Sequence, residues 1–341
     1  MMTITNPIGP IRQRLAASKL NYTNIPPGTV FPKKLTVQKK IADGGMSSVY
    51  LAHDTSQRPV VIKVTNNGEI FHVQALRQEV EVLSLFTSRP ISKIFNRFLN
   101  RRAPFPDLYD SNVNDEKAFG GLRYVALEYI PGETLNNIIA GHENIPLHKA
   151  IEIAMQLCGL QALHEQNYVH RDIKPENIII NNETGAHIID FGVSCRTGHR
   201  DKRDLVVGTP SYMSSELSLA RFAAPRSDIY SLGLVLYEMI SGDNPMRHDN
   251  HQQALNNQQE KPLPKLEITE RIRSDKRDEF INTVGELQTL LNDLIGKMTE
   301  KQRSKRFKSL KPVETLLLRA HVLALTFKHY EKRIKQSFPH E

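Results

Sequence analysis

The chain carries only two cysteines, Cys158 and Cys195, in 341 residues. Two cysteines cannot build a disulfide framework, and no Cys/His cluster has zinc spacing. They read as a small core residue and a loop thiol, which suits a reducing, cytoplasmic setting. No run of eighteen apolar residues exists, so no transmembrane helix is expected. The N-terminus lacks the apolar core of a signal peptide, and secretion by that route is not expected. Internal repeats are absent, and bias is confined to an Asn/Gln-rich stretch at 249–259, read as a short helix plus loop.

Acid is also missing from one region. Residues 1–35 hold Arg12, Arg14, Lys19, Lys33 and Lys34 but no Asp or Glu, within a chain of net charge +8. Several prolines punctuate this basic N-terminal extension, and one helix is expected around Ile11 to Leu20. Such an arm suits an acidic partner, nucleic acid or an anionic membrane. It also resembles an organelle transit peptide. The plainer alternative is a solvated arm that packs on the folded body. No aromatic interleaving favours single-strand binding.

What is present is organised around His170-Arg171-Asp172-Ile173-Lys174-Pro175-Glu176-Asn177. Apolar runs flank it, Tyr168-Val169 before and Ile178-Ile179-Ile180 after, so the polar groups sit on a short braced loop. Thirteen residues beyond Asn177 comes Asp190-Phe191-Gly192, carried on His187-Ile188-Ile189. Loops from two neighbouring strands can bring Asp172, Lys174, Asn177 and Asp190 to one volume. Phosphoryl transfer needs such a set: a carboxylate for the hydroxyl proton, oxygen ligands for magnesium, and a cation for the moving phosphate.

These motifs resemble the catalytic core of eukaryotic-like protein kinases. The form Asp172-x-Lys174-Pro175-x-Asn177 resembles the serine/threonine branch, bacterial type. Further matches run in order. Gly44-Gly45-Met46 before Ser48-Val49-Tyr50 resembles the phosphate-covering hairpin, although Ala42 and Ser47 stand where the family has glycine. Lys63 interrupts the apolar strand Val60–Val64, and a cation amid such a run must find an anion. Apolar residues at helical spacing mark a helix over 72–87, in which Glu79 resembles the glutamate that pairs with that lysine. Leu122 to Ile130 resembles the fifth strand and hinge. Asp190 to Glu216 resembles an activation segment of 27 residues, ending Ser214-Ser215-Glu216 where the family has Ala-Pro-Glu. Glu216 still has its expected partner, Arg306, and Asp228, on a buried helix, is expected to bond back to the catalytic loop. His164 reads as a satisfied packing histidine. One continuous helix is expected from Pro146, with Asn144 as its cap, and the connection 88–121, longer than usual, is expected to hold extra helix.

The resemblance implies an α+β, bilobal protein-kinase-like fold, with a small β-rich N-lobe at 36–128, a larger mainly helical C-lobe at 129–330 and a charged tail at 331–341. It implies ATP and Mg2+ as cofactors, and protein substrates with Ser or Thr acceptors. Catalytic roles fall to Asp172, Lys174, Lys63 and Glu79, and metal binding to Asn177 and Asp190. Nucleotide contacts fall to Ile41, Gly44, Gly45, Val49, Lys63, Glu128, Ile130 and Ile179. Thr209 is expected to order the catalytic loop. Ser194, Thr197, Thr209 and Ser211 are the candidate acceptors of an activation-segment phosphate, with Arg171 as its receiver; Thr197, flanked by Arg196, His199, Arg200, Lys202 and Arg203, is the candidate for autophosphorylation. The glycine losses keep a pseudokinase scaffold open as an alternative. An aminoglycoside-type kinase is disfavoured by Glu216, Arg306 and Thr209. A nucleic-acid binder with a decayed core rests on the basic arm alone.

Overall fold

A computed structural model describes residues 22–66, 70–87, 103–115, 121–141, 145–200, 208–219, 222–268 and 278–337. The chain divides into two compact units, Met1–Val80 with Leu108–Tyr129, and Glu81–Asp107 with Ile130–Glu341. The smaller is β-rich and the larger mainly helical.

The smaller unit is built on β1 (Val30–Phe31), β2 (Leu35–Asp43), β3 (Ser48–His53), β4 (Pro59–Asn66), β5 (Leu108–Ser111) and β6 (Leu122–Glu128). They form a six-stranded antiparallel sheet in the order β1-β2-β3-β4-β6-β5. Burial alternates along β3, as it must when one face is covered. On β4, Val60, Ile62 and Val64 join the core cluster, which leaves Val61 and Lys63 on the opposite face.

β1 was not expected ahead of Leu35. Its reason is Phe31, 2% exposed, which packs edge-on against Tyr124 with ring centroids 5.2 Å apart. Ile25 is buried as well, and its N–H donates to the Tyr50 hydroxyl. The described part of the basic arm therefore packs into this unit. Lys33 is paired with Asp110 at 2.9 Å. Arg12, Arg14, Lys19 and the helix expected around them lie outside the described residues.

In the larger unit the backbone runs through β7 (Glu133–Thr134), α2 (Leu135–Ala140), α3 (Leu147–Leu157), α4 (Gln161–Glu165) and β8 (Tyr168–Val169). It continues through β9 (Ile178–Asn181), β10 (Gly185–Ile188), β11 (Cys195–Arg196) and α5 (Ser215–Ser218). It ends with α6 (Pro225–Ser241), α7 (His251–Glu260), α8 (Asp278–Met298) and α9 (Lys311–Ser337). Sheets β10-β9-β7 and β11-β8 are small. α6 is buried on every side, as an all-round apolar helix must be. A Cβ on its Gly233 would sit 2.8 Å from the Thr299 methyl, so this glycine permits the close approach of the residues that end α8. α1 (Ile70–Thr87) carries the 72–87 periodicity; Ile70–Val80 belong to the smaller unit and Glu81–Thr87 to the larger.

Two sequence expectations change form. The continuous helix expected from Pro146 breaks into α3, a 3-10 turn at Cys158–Leu160, and α4. Pro104 crowds that turn, since a Cβ on Gly159 would lie 2.6 Å from its Cδ. The N-cap is Pro146 without a side-chain bond; Asn144, expected as the cap, lies outside the described residues. In the long connection, residues 103–115 are extended and supply β5 rather than helix, while 88–102 lie outside the described residues. No helix among the described residues is long and apolar enough to cross a membrane.

Candidate active site

In the larger unit, a hairpin sets the geometry. Ile178 pairs with Ile188 across β9 and β10, and the Ile189 N–H donates to the Asn177 carbonyl at 2.9 Å. Asn177, one residue before β9, and Asp190, two residues after β10, therefore emerge at the same end. This is the neighbouring-strand arrangement expected from the two apolar runs. Asp190 has a positive φ of 69°. Between them they offer a carboxylate and an amide oxygen, a hard donor set that suits magnesium completed by phosphate and water.

Asp172 is held from several sides. Asn177 Nδ2 donates to its carbonyl at 2.9 Å and to its Oδ2 at 2.8 Å. Lys174 Nζ lies 2.9 Å from Oδ2 and donates to Thr209 Oγ1 at 2.6 Å, and that hydroxyl donates to Asp172 Oδ1 at 2.7 Å. Thr209 thus orders the catalytic loop as expected. Gly208, just before it, has φ +117°, and a Cβ there would lie 2.7 Å from the Arg171 carbonyl. Only glycine meets both demands without strain.

Beneath the loop, Asp228 is fully buried on α6. Its Oδ2 accepts from the His170 N–H at 2.8 Å and its Oδ1 from the Arg171 N–H at 2.9 Å. His164 Nε2 lies 2.8 Å from Oδ2. His164, read as a satisfied packing histidine, is buried and bonded, and it is the third holder of Asp228. Its sequence carried one signal, a six-residue lead before the catalytic loop. His170 is wholly buried, and desolvation holds its pKa below the ordinary 6.5 despite the nearby Asp228, Asp172 and Asp190 charges. The His170 ring meets Phe191 edge-on at 4.8 Å, and Phe191 meets Phe105 at 5.2 Å. Phe105 belongs to the long connection, and this contact was not legible in the sequence.

The activation segment is anchored at both ends. At its start, Arg171 Nε donates to the Val193 carbonyl at 2.6 Å, and β11 pairs with β8. The Tyr168 hydroxyl bonds Glu81, Arg196 stacks over the Tyr168 ring at 4.8 Å, and burial followed by the Glu81 bond raises the phenol to about 12. At its end, Glu216 and Arg306 form the expected buried pair at 2.9 Å. Ser215, a departure from the family pattern, donates to the Lys301 carbonyl at 2.7 Å and accepts from Arg306. Thr197 is exposed, and its N–H donates to the Asn167 carbonyl. Lys202 and Arg203, expected near it, lie outside the described residues.

In the smaller unit, Lys63 Nζ lies 2.7 Å from Glu79 Oε1, with both side chains nearly buried. Lys63 and Glu79 are thus paired, as the resemblance implied. The hairpin turn between β2 and β3 closes with the Gly44 N–H on the Ser47 carbonyl and Ser48 Oγ on Asp43. Ile41 is exposed and Val49 half-buried on the two strands beside it. Glu128 ends β6. In the larger unit, Ile130 is buried and Ile179 is half-buried on β9.

The profile of the protein kinase domain matches residues 35–317. The chain belongs to the protein kinase family. Kinases of this family use ATP, typically with magnesium. The chain is similar to a probable serine/threonine-protein kinase of Clostridium perfringens, 27% identical over 299 residues, 84% of this chain and 38% of that protein. It is also similar to the serine/threonine-protein kinase PknL of Mycobacterium tuberculosis, 30% identical over 221 residues, 63% of this chain and 51% of that protein. PknB of Mycobacterium leprae is 32% identical over 238 residues, 68% of this chain and 36% of that protein. The chain therefore spans about half or less of the length of these relatives.

Proposed function

We propose that this chain is an ATP-dependent serine/threonine protein kinase. The carrying observation is the chain of contacts from Lys174 through Thr209 to Asp172, beside the hairpin end that bears Asn177 and Asp190. In this reading Asp172 orients a Ser or Thr hydroxyl and takes its proton as the oxygen attacks the γ-phosphorus and ADP leaves. Lys174 offsets charge on the γ-phosphate. Asn177 and Asp190 hold magnesium, which when bound neutralises charge on the phosphate oxygens. Lys63 holds the α and β phosphates and is itself fixed by Glu79. Gly44 and Gly45 let the backbone cover the phosphates without a Cβ. Ile41, Val49 and Ile179 cover the adenine, and the backbone at Glu128 and Ile130 bonds it. The catalytic work is positioning and electrostatic stabilisation.

The same reading takes 36–128 as N-lobe, 129–330 as C-lobe, 1–35 as the basic extension and 331–341 as a charged tail. It includes autophosphorylation at Thr197 and a cytoplasmic setting, supported by two buried cysteines that form no disulfide.

The test is phosphate transfer from radiolabelled ATP to a generic Ser/Thr protein substrate and to the chain itself, for the native protein beside Asp172→Asn. Transfer by the native chain and none by the variant is expected. Absence of transfer from the native chain, or equal labelling of both, overturns the reading.

A further inference from the structure

The turn Pro210–Tyr212 follows Thr209 directly, and it is suspended by its carbonyls. Gln258 Nε2 donates to the Pro210 carbonyl at 3.1 Å, Asn244 Nδ2 to that of Ser211 at 3.1 Å, and Ser231 Oγ to that of Tyr212 at 2.8 Å. Three successive oxygens are thus held from three places: α7, the loop after α6, and α6 itself. Within the turn the Tyr212 N–H donates back to the Thr209 carbonyl at 3.0 Å. Moving the turn therefore moves Thr209, whose hydroxyl bonds Asp172.

Gln258 differs from the other two holders. It has no exposed surface, on a helix where Ala254 is the other buried residue. Its oxygen accepts from the Tyr230 hydroxyl at 2.6 Å, and that hydroxyl in turn accepts from Lys301 Nζ at 3.0 Å. Both ends of the amide are engaged, which is the condition for a buried polar group to be tolerated. An apolar side chain of similar size would fill the same space with no such demand. What it could not do is hold Pro210 in one direction.

We propose that Gln258 is a positioning residue for phosphoryl transfer: by holding the Pro210 carbonyl from α7, it keeps Thr209 on Asp172 and so sets the acceptor side of the site. This rests on the kinase reading above and adds a residue outside the catalytic loop. Gln258 touches neither nucleotide nor acceptor in this account, so its loss acts on turnover of the protein substrate and leaves ATP recognition alone.

The test compares the native chain with Gln258→Leu and Gln258→Met. Leucine removes both bonds. Methionine has nearly the same volume and length, but it cannot donate to Pro210 in any protonation state. Both variants are expected to lower kcat on a peptide substrate about ten-fold, the scale of one lost hydrogen bond. The KM for ATP should stay within about two-fold, since positioning energy expressed in the transition state appears in kcat. Backbone amide exchange over 209–213 should accelerate by a similar factor, with α6 and α8 unchanged. Native-like kcat and exchange in Gln258→Met would overturn the proposal. So would a fall in kcat accompanied by faster exchange throughout α6 and α8, which marks a merely structural role. If Gln258→Leu does not fold, Gln258→Met carries the comparison. A native chain without transfer removes the kinase reading, while the exchange measurement still decides whether Gln258 holds the turn.

Discussion

Arg306 grips both oxygens of Glu216, Nη1 on Oε1 and Nη2 on Oε2, each at 2.9 Å. The guanidinium also stacks over Tyr230 at 4.7 Å and donates Nε to the Glu300 carbonyl. Removing the cation leaves a buried carboxylate uncompensated, which costs about 3–5 kcal/mol. Arg306→Met should therefore lower the urea midpoint strongly, and Arg306→Met with Glu216→Leu should recover part of the loss. Equal midpoints for the single and double variants would show that the pair is not coupled.

Acid should destabilise the fold in two stages. Burial alone would raise the Glu216 pKa, but the Arg306 charge and the bonds from Arg306 and Ser227 outweigh it, and the group ends below its ordinary 4.5. A depressed carboxylate stabilises above its unfolded pKa and loses that contribution as pH falls through the folded one. His170, held neutral by burial, is also depressed from 6.5. The unfolded chain takes up that proton first, so stability falls once pH drops below the ordinary histidine value. Urea midpoints measured from pH 8 down to about pH 4 should decline from near 6.5 onward. Replacing Glu216 and Arg306 together by apolar residues should flatten only the lower part of the curve.

Losing a positioned acid/base costs about 10²- to 10⁴-fold. Asp172→Asn should accordingly remove measurable transfer while circular dichroism stays native. Thr209→Ser keeps the hydroxyl and should retain most activity. Thr209→Ala removes the hydroxyl that bonds both Lys174 and Asp172, leaves only their direct contact, and should lower kcat about ten- to a hundred-fold, the rate equivalent of about 1–3 kcal/mol. Steady-state kinetics on one peptide substrate decide both.

Lys63→Met should weaken ATP use and also destabilise, because Glu79 is 1% exposed. Adding Glu79→Leu should restore stability, since an apolar pair is often neutral or better than a buried ion pair. It should not restore activity. Thermal midpoints and ATP turnover of the single and double variants separate the two effects, and a double variant that regains turnover would remove Lys63 from the mechanism.

The catalytic loop was legible because its polar residues sit between apolar runs, whereas the Lys63–Glu79 pair and the Glu216–Arg306 anchor were expected from the family resemblance. The β9–β10 hairpin followed from the same pattern. His164 on Asp228 and Gln258 on Pro210 join residues 64 and 48 positions apart through side-chain atoms, and such links leave no periodicity to read. β1 was missed because two residues make no pattern; its pairing with β2 and the packing of Phe31 on Tyr124 define it. Phe105 hid in a connection whose composition pointed to extra helix, although its ring closes on Phe191.

Cys158 and Cys195 are the only sulfhydryls of the sequence, and both are buried. Desolvation raises the Cys158 pKa far above its ordinary value, which leaves it poorly reactive. The native surface is therefore blank to maleimides. A Gln252→Cys substitution on the exposed side of α7 would create a single attachment point for a fluorophore or spin label. Spectroscopy on this chain can begin without first stripping it of its own thiols.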